Sequence, residues 1–173
     1  MTQYAKCRKA INRFLQQDRI GAIGHISCVD RRPRIAESAD IAAMGASSLE
    51  EICDLLGYEP TAVTVQSQRN ERVTSLQAFL HVSSQTGIHY FATFGDSPRE
   101  HELWIEGSKG SLRTDGNSVW WRKRGWPVFI PTRIGLFGIA SRSPSKSGRD
   151  SQLAAALRKS ECDRNTVSVA NRG

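Results

Sequence analysis

Residues 75–107, SLQAFLHVSSQTGIHYFATFGDSPREHELWIEG, decide the fold. Three runs inside it alternate apolar and polar side chains with a period of two: SLQAFLHVS (75–83), IHYFATF (88–94) and EHELWIEG (100–107). That period puts every second residue on one face and marks a half-buried strand. The joints, Gln85-Thr86-Gly87 and Gly95-Asp96-Ser97-Pro98, carry turn chemistry. The pattern continues outward on both sides. TAVTVQSQ (61–68) precedes it, and SLRT (111–114) and SVWWRK (118–123) follow, joined through Gly107-Ser108-Lys109-Gly110 and Asp115-Gly116-Asn117. Short strands in succession with tight turns pair as antiparallel neighbours.

Further toward the N-terminus the period changes. Cys7, Ile11, Phe14 and Leu15 form a helical stripe within 3–17, flanked by Lys6, Arg8, Lys9, Arg13 and Gln17. AIGHISCVD (22–30) reads as a strand, and Arg31 to Asp40 as a loop, because Pro33 lacks a ladder donor. A second helix is expected to open on a capping box at Ser47 and Glu50. It buries Leu49, Ile52, Cys53, Leu55 and Leu56 and stops at Gly57. From about residue 141 the text becomes SRSPSKSGRDS, with one short Ala/Leu run from Leu153 to Leu157. The expected class is α+β, an open and mostly antiparallel sheet with helices on one face. Its expected parts are a linking helix over 1–21, an α/β domain over 22–139, and a disordered or weakly helical basic tail over 140–173.

The chain has 173 residues, enough for one core without staples. Its net charge is +7. Residues 141–173 carry seven Lys and Arg against three acids, so the tail holds +4 of that excess and the first 140 residues +3. A basic surplus concentrated in a polar tail is weak support for nucleic-acid binding. Cys7, Cys28, Cys53 and Cys162 lie far apart with no CxxC, which excludes a zinc-finger spacing and fits reduced thiols. No apolar core of a signal peptide opens the sequence, and the stretch from Trp126 to Ala140 is broken by Pro127, Pro131 and Arg133. A cytoplasmic protein with no membrane partner is expected.

Neither a GxGxxG turn after a strand nor a GxxxxGK[ST] loop is present, so nothing offers the usual pyrophosphate site. His25 and Cys28 fall on opposite faces of one strand and cannot share a metal. His81 and His89 could meet across a hairpin, without a third ligand. Each of these, and His101, reads as a structural or solvent-exposed histidine. Glu100 and Glu102 share one strand face beside Arg99 and Lys109, the pattern of a solvated face. The run Trp120-Trp121-Arg122-Lys123-Arg124-Gly125-Trp126 interleaves aromatics with bases, as single-strand nucleic-acid binders do. Its competing reading sends Trp120 and Trp121 to opposite faces of the sheet, one toward the helices and one into a subunit contact. Trp104, Trp120, Trp121 and Trp126 are the candidate interface residues.

HELWIEGSKGSLRTDGNSVWWRKRGWP (101–127), GASSLEEICDLLGYEPTAVTV (45–65) and AINRFLQQDRIGAIGHISCV (10–29) together resemble the C-terminal domain of the Gfo/Idh/MocA oxidoreductases. The order matches over about residues 5–135: a helix, G-x-I-G-x-I opening the first strand, a G-x-x-x-L-[DE] helix ending in LLG-x-[DE]-P, and a sheet closing near E-G-x-x-G-x-L. The resemblance implies a two-domain enzyme in which a Rossmann domain binds NAD or NADP. The second domain then places a sugar or polyol and joins subunits into a homo-oligomer. No stretch matches the Rossmann half, so the chain is expected to be a truncated form that binds no cofactor alone. The family helix commonly begins D-x-G-x-H-x-x-D, whose Asp and His carry the proton. Here Gly45 stays, Ala43 and Ser47 replace the Asp and His, and Glu50 stands at the last acidic position. The resemblance therefore leaves this chain without catalytic residues. The reading is the substrate and oligomerisation domain of an NAD(P)-dependent sugar or polyol oxidoreductase, inactive alone. The alternatives are an interaction module and a single-strand nucleic-acid binder through Trp120–Trp126.

Overall fold

Alternation along the strands is carried into space as one nine-stranded sheet. In this computed structural model the described residues are 7–33, 40–69, 73–83, 85–96, 98–132, 153–159 and 167–168. The elements are α1 (Arg8–Gln16), β1 (Ile23–Pro33), α2 (Ile41–Leu56), β2 (Ala62–Arg69), β3 (Thr74–His81), β4 (Gly87–Gly95) and β5 (Glu100–Gly107). They continue with β6 (Gly110–Thr114), β7 (Val119–Lys123), β8 (Ile130–Thr132), a third helix α3 (153–159) and β9 (Val167–Ser168). The sheet order is β8-β7-β6-β5-β1-β4-β3-β2-β9. Every pairing is antiparallel except β1 with β4. That one parallel pair follows from the crossover through α2, β2 and β3. The expected α+β fold is the fold observed.

Side chains of one parity pack under the helices. Ile26 and Cys28 of β1, Leu76, Ala78 and Leu80 of β3, Ile88, Tyr90 and Ala92 of β4, and Leu103 and Ile105 of β5 are all fully or nearly buried. They meet Cys7, Ile11 and Phe14 from the α1 side and Leu49, Ile52 and Leu55 from α2. Burying one such aliphatic side chain stabilises by roughly 1.5–3 kcal/mol, so this layer is the main source of stability. At Gly45 the helix comes so close to the sheet that an added Cβ would run into the Leu76 side chain. Glycine serves close packing there, not backbone freedom.

Three boundaries differ from expectation. The second helix begins at Ile41, six residues before Ser47, because Asp40 is its cap: the carboxylate accepts from the Ala43 N–H at 2.9 Å. Ser47 lies in mid-helix and is exposed, so the expected capping box is not the start. The other end agrees, with Gly57 left-handed at φ 70° and its N–H bonded to the Cys53 carbonyl. β1 runs on through Arg31, Arg32 and Pro33, residues read as loop. Pro33 pairs with Gly95 of β4, while β5 begins opposite Arg31. Proline thus has a ladder neighbour on one side only, where its missing donor is tolerated.

The expected tail, 140–173, lies mostly outside the described residues. Within them, α3 sets Leu153, Ala154, Ala156 and Leu157 into the core, with Leu157 at 0% exposure. β9 pairs with β2 through Ala62↔Ser168 and Val63↔Val167. These two pieces join the core and the sheet.

Candidate functional site

Along β1 the buried parity carries Ile26, Cys28 and then Asp30, which puts a carboxylate into the hydrophobic layer with none of its surface exposed. A buried charge persists only when it is paired and hydrogen-bonded. Arg32, two residues on and of the same parity, donates to Asp30 Oδ2 from Nε at 2.8 Å and from Nη2 at 2.5 Å. The Ser48 hydroxyl of α2 and the Tyr90 hydroxyl of β4 each donate to the same oxygen at 3.3 Å. Arg32 Nη2 also donates to Ser48 Oγ at 2.8 Å. The other oxygen, Oδ1, faces the His101 imidazole, whose Nδ1 is 3.9 Å away.

The electrostatics follow from burial. Arg32 is pulled down by desolvation, but its hydrogen bond and attraction to Asp30 outweigh this and leave its pKa raised. Burial pushes the Tyr90 phenol up, and the Asp30 charge pushes it further. Burial holds His101 below the ordinary imidazole value, outweighing the upward pull of Asp30. The cluster therefore holds one fixed ion pair and a neutral ring. It can position: the carboxylate is fully buried, and its Oδ2 is taken up by a guanidinium and two hydroxyls. Its effect is mechanical. Arg32 and Asp30 grip Ser48, which fixes the rotation of α2 about its own axis.

That rotation decides what α2 shows to the outside. Ser48 is 4% exposed, whereas Ser47 is exposed and Ala43 and Glu50 are partly so. Ala43, Ser47 and Glu50 stand at i, i+4 and i+7 on one face. A methyl and a lone hydroxyl occupy the positions where the resemblance puts a proton-carrying pair. Ser needs an adjacent base to act near neutral pH. At the N-terminus of the same helix a groove of about 350 Å³ is bordered by Asp40, Ile41, Ser67, Arg69 and Thr74. Asp40 is doubly engaged there. It caps the helix and accepts from Arg158 Nε at 2.9 Å. The Arg158 hydrogen bond, then the Ala43 N–H, hold its carboxyl below the usual range. A carboxylate in that place repels phosphate, so this helix end does not fit the pyrophosphate of a dinucleotide.

Among the described residues no helix covers the opposite face of the sheet, and Phe129 lies on it against Trp104 and Arg122. The middle row of that open face runs Thr64, Phe79, His89, Ser27, Trp104, Arg113 and Trp120 across six neighbouring strands and β2. The Arg113 guanidinium lies 5.2 Å from the Trp104 ring and 5.8 Å from that of Trp120, and pairs with Glu102. Glu102 also accepts from the Trp104 indole at 2.5 Å, and Glu100 pairs with Arg31 at 2.6 Å. The two glutamates expected on a solvated face are thus each held by an arginine other than the ones their spacing suggested.

The four candidate tryptophans separate. Trp104 and Trp120 share the open face, and Trp121 stacks on Phe14 of α1 with centroids 5.9 Å apart. Its indole N–H is buried without an acceptor among the described residues. Trp126 lies beyond β7, 51% exposed, beside a groove of about 490 Å³ with Glu106, Ser111, Arg122 and Arg124. So Trp120 and Trp121 do point to opposite faces, and 120–126 is not one stacking platform. His25 and Cys28 are likewise on opposite faces. His81 and His89 share the open face with the Phe79 ring between them, at 4.7 and 5.5 Å. No group of three or more His, Cys, Asp or Glu among the described residues could hold a metal. Among them no helix is long and apolar enough to cross a membrane.

Asp30, Arg32, Ser48, Tyr90 and His101 were not singled out by sequence reasoning. The usable signal was Asp30 following Ile26 and Cys28 at strand period, with Arg32 at the next step.

No family model and no curated protein matches this sequence. Solved structures do match its shape. An NAD binding oxidoreductase from Klebsiella pneumoniae superposes with a TM-score of 0.75 at 12% identity, over 98% of this chain and 65% of its own. Levoglucosan dehydrogenase, in complex with NADH and levoglucosan, gives 0.75 at 14% identity over 99% and 66%. Aldose-aldose oxidoreductase from Caulobacter crescentus, complexed with glycerol, gives 0.67 at 12% over 95% and 62%. The chain spans about 65% of the length of such proteins. At these identities the shared property is the fold: the chain folds as about two thirds of each of these solved oxidoreductase chains folds.

Proposed function

We propose that this chain is the substrate-placing and subunit-joining domain of an NAD(P)-dependent sugar or polyol oxidoreductase, and that it does not turn over substrate alone. The observation that carries this reading is the outward face of α2. Ser48 holds α2 against the Asp30–Arg32 pair, which supports an outward position for this face. Yet it offers Ala43 and Ser47 where a general base is needed. The α2 N-terminus is taken by its own Asp40 and does not suit the cofactor's phosphates. The test is direct. Purified chain is mixed with NAD or NADP and a panel of aldoses and polyols, and formation of reduced cofactor is followed by its absorbance. No turnover and no submillimolar NADH binding by calorimetry are expected; turnover of any member of the panel overturns the reading.

The open sheet face favours a second function of the same domain, self-association. Its strand residues carry Glu100, Glu102 and Glu106 against Arg31, Arg113 and Arg122, charges that cancel. A two-fold contact pairs a surface with itself, and a face with equal numbers of both signs can be self-complementary. Trp104, Trp120, Phe79 and Phe91 add aromatic anchors of the type that dominate contact energies. A sedimentation profile showing dimer at tens of micromolar (roughly the working range of standard interfaces) is expected. A clean monomer there excludes it.

A further inference from the structure

The groove of about 490 Å³ beside Trp126 lies where β5 and β7 finish and β6 begins. Register sets one row of it: Glu106 of β5 stands opposite Ser111 of β6, and Ser111 opposite Arg122 of β7. That row has the parity of Trp104, Arg113 and Trp120, so it faces away from α2. Beyond β7 the chain turns at Gly125, left-handed at φ 83°. The turn is held by the Arg124 N–H on the Lys109 carbonyl and the Trp126 N–H on the Lys123 carbonyl. It brings Arg124 and Trp126, the latter 51% exposed, to the rim of the same groove.

Both arginines of the groove are held in place, and neither is neutralised. The Arg122 guanidinium lies over the Phe129 ring, 4.7 Å from its centroid, and Arg124 Nη1 donates to the Ser108 carbonyl at 3.3 Å. A ring and a carbonyl orient a guanidinium while leaving its charge in place. Among the described residues the ion pairs engage other groups: Lys109 goes to Asp18 and Arg113 to Glu102, and no carboxylate pairs with Arg122 or Arg124. Glu106, exposed on the other side of Ser111, is in none of these pairs either. Ser111 itself is 9% exposed and borders the groove, and its hydroxyl has no hydrogen-bond partner among the described residues. A hydroxyl so buried is ordinarily hydrogen-bonded, and here the groove is where a partner can reach it.

We propose that this groove binds a small phosphate monoester with a hydroxyl-bearing body, of the sugar-phosphate class. Two guanidinium forks suit the terminal oxygens of a phosphate monoester. Ser111 stands in register between Arg122 and Glu106, so it meets the ligand between its two ends. Glu106 accepts from hydroxyls of the body and, being negative, turns away a second phosphate. The Trp126 indole offers an apolar face to the C–H side of a ring. A volume of about 490 Å³ falls within the roughly 300–1,000 Å³ of small-ligand pockets. The site is separate from the Ala43–Ser47–Glu50 face of α2 and stands independently of both readings above.

Calorimetry of the full chain with glucose 6-phosphate, inorganic phosphate and glucose tests it, beside the variants R122Q/R124Q and W126A and the charge control K123Q/K159Q. Glucose 6-phosphate is expected to bind with a submillimolar Kd, and the other two compounds at least about tenfold more weakly. R122Q/R124Q should weaken glucose 6-phosphate at least about a hundredfold, and W126A at least about threefold. K123Q/K159Q removes the same net charge outside the groove and should stay within about twofold of wild type. Circular dichroism records that each variant is folded; should R122Q/R124Q fail to fold, W126A, at an exposed rim position, carries the same test. Absence of glucose 6-phosphate binding overturns the proposal. Inorganic phosphate binding as tightly as glucose 6-phosphate overturns the hydroxyl-bearing body. Folded R122Q/R124Q that binds like wild type, or no more weakly than K123Q/K159Q, moves the ligand out of this groove and overturns the site.

Discussion

The two faces of the sheet handle charge in opposite ways. The covered face admits one carboxylate, Asp30, and surrounds it with a guanidinium, two hydroxyls and a neutral imidazole. The open face spreads six charges along the strands and leaves them to cancel at the surface. The same period-two backbone produces both. What differs is water: a pair in solvent is worth little because solvent already serves each ion, whereas a pair under the helices is indispensable once one member is there. Removing Arg32 leaves a carboxylate that water cannot reach, and removing Asp30 leaves a mostly buried guanidinium without its ion partner.

The largest expected effect breaks the comparison at its buried pole. Asp30→Asn keeps the shape but strands the Arg32 charge, and should cost about 3–5 kcal/mol in urea unfolding. The counterpart Glu102→Gln, on the open side, should cost less than about 1 kcal/mol. Equal effects would mean the two faces do not differ as described.

Leu157→Ala asks whether α3 belongs to the covered face. A side chain at 0% exposure should cost about 2–5 kcal/mol when truncated. A loss within about 0.5 kcal/mol, the range of surface substitutions, would detach α3 from the core.

Asp40→Ala removes an N-cap and the partner of Arg158, and about 1 kcal/mol is expected by thermal or denaturant melting.

The smallest effect is read against pH. Burial lowers the His101 pKa in the folded state, so on acidification the unfolded chain takes up its proton first. Stability should be full above the ordinary value of about 6.5, fall as pH drops from there toward the folded value, and level off below it. His101→Gln should flatten that part of the urea-midpoint profile. A variant profile parallel to wild type assigns the slope to other groups.

The strands were legible because alternation survives any tertiary context: 61–68, 75–83, 88–94 and 100–107 all became strands, and the Trp120/Trp121 split followed from parity alone. Boundaries set by distant partners were not. β1 extends through Arg32 because Arg32 finds Asp30 and the β4 edge, and neither is visible in the letters RRPR. α2 starts early because Asp40 caps it, whereas Ser47 and Glu50 offered an equally good local signal six residues on. α3 is short, and a seven-residue amphipathic stretch is marginal until a core receives it. The candidate site was half legible. Ala43, Ser47 and Glu50 do share an outward face. The buried knot that turns this face outward was missed, since a carboxylate on a core parity resembles a register error until its guanidinium is seen.

The closure of the domain by α3 and β9 has a consequence for synthesis. Leu153 and Leu157 fill a layer begun by Cys7 and Ile11, nearly the whole polypeptide earlier. β9 is also the last neighbour of β2. A ribosome-bound chain that has released only α1 through β8 therefore shows an unfilled groove and an unpaired strand edge, both of which attract chaperones and sister chains. Maturation of this fold waits on α3 and β9, and any fusion or cleavage near residue 157 will register first as poor yield in the soluble fraction.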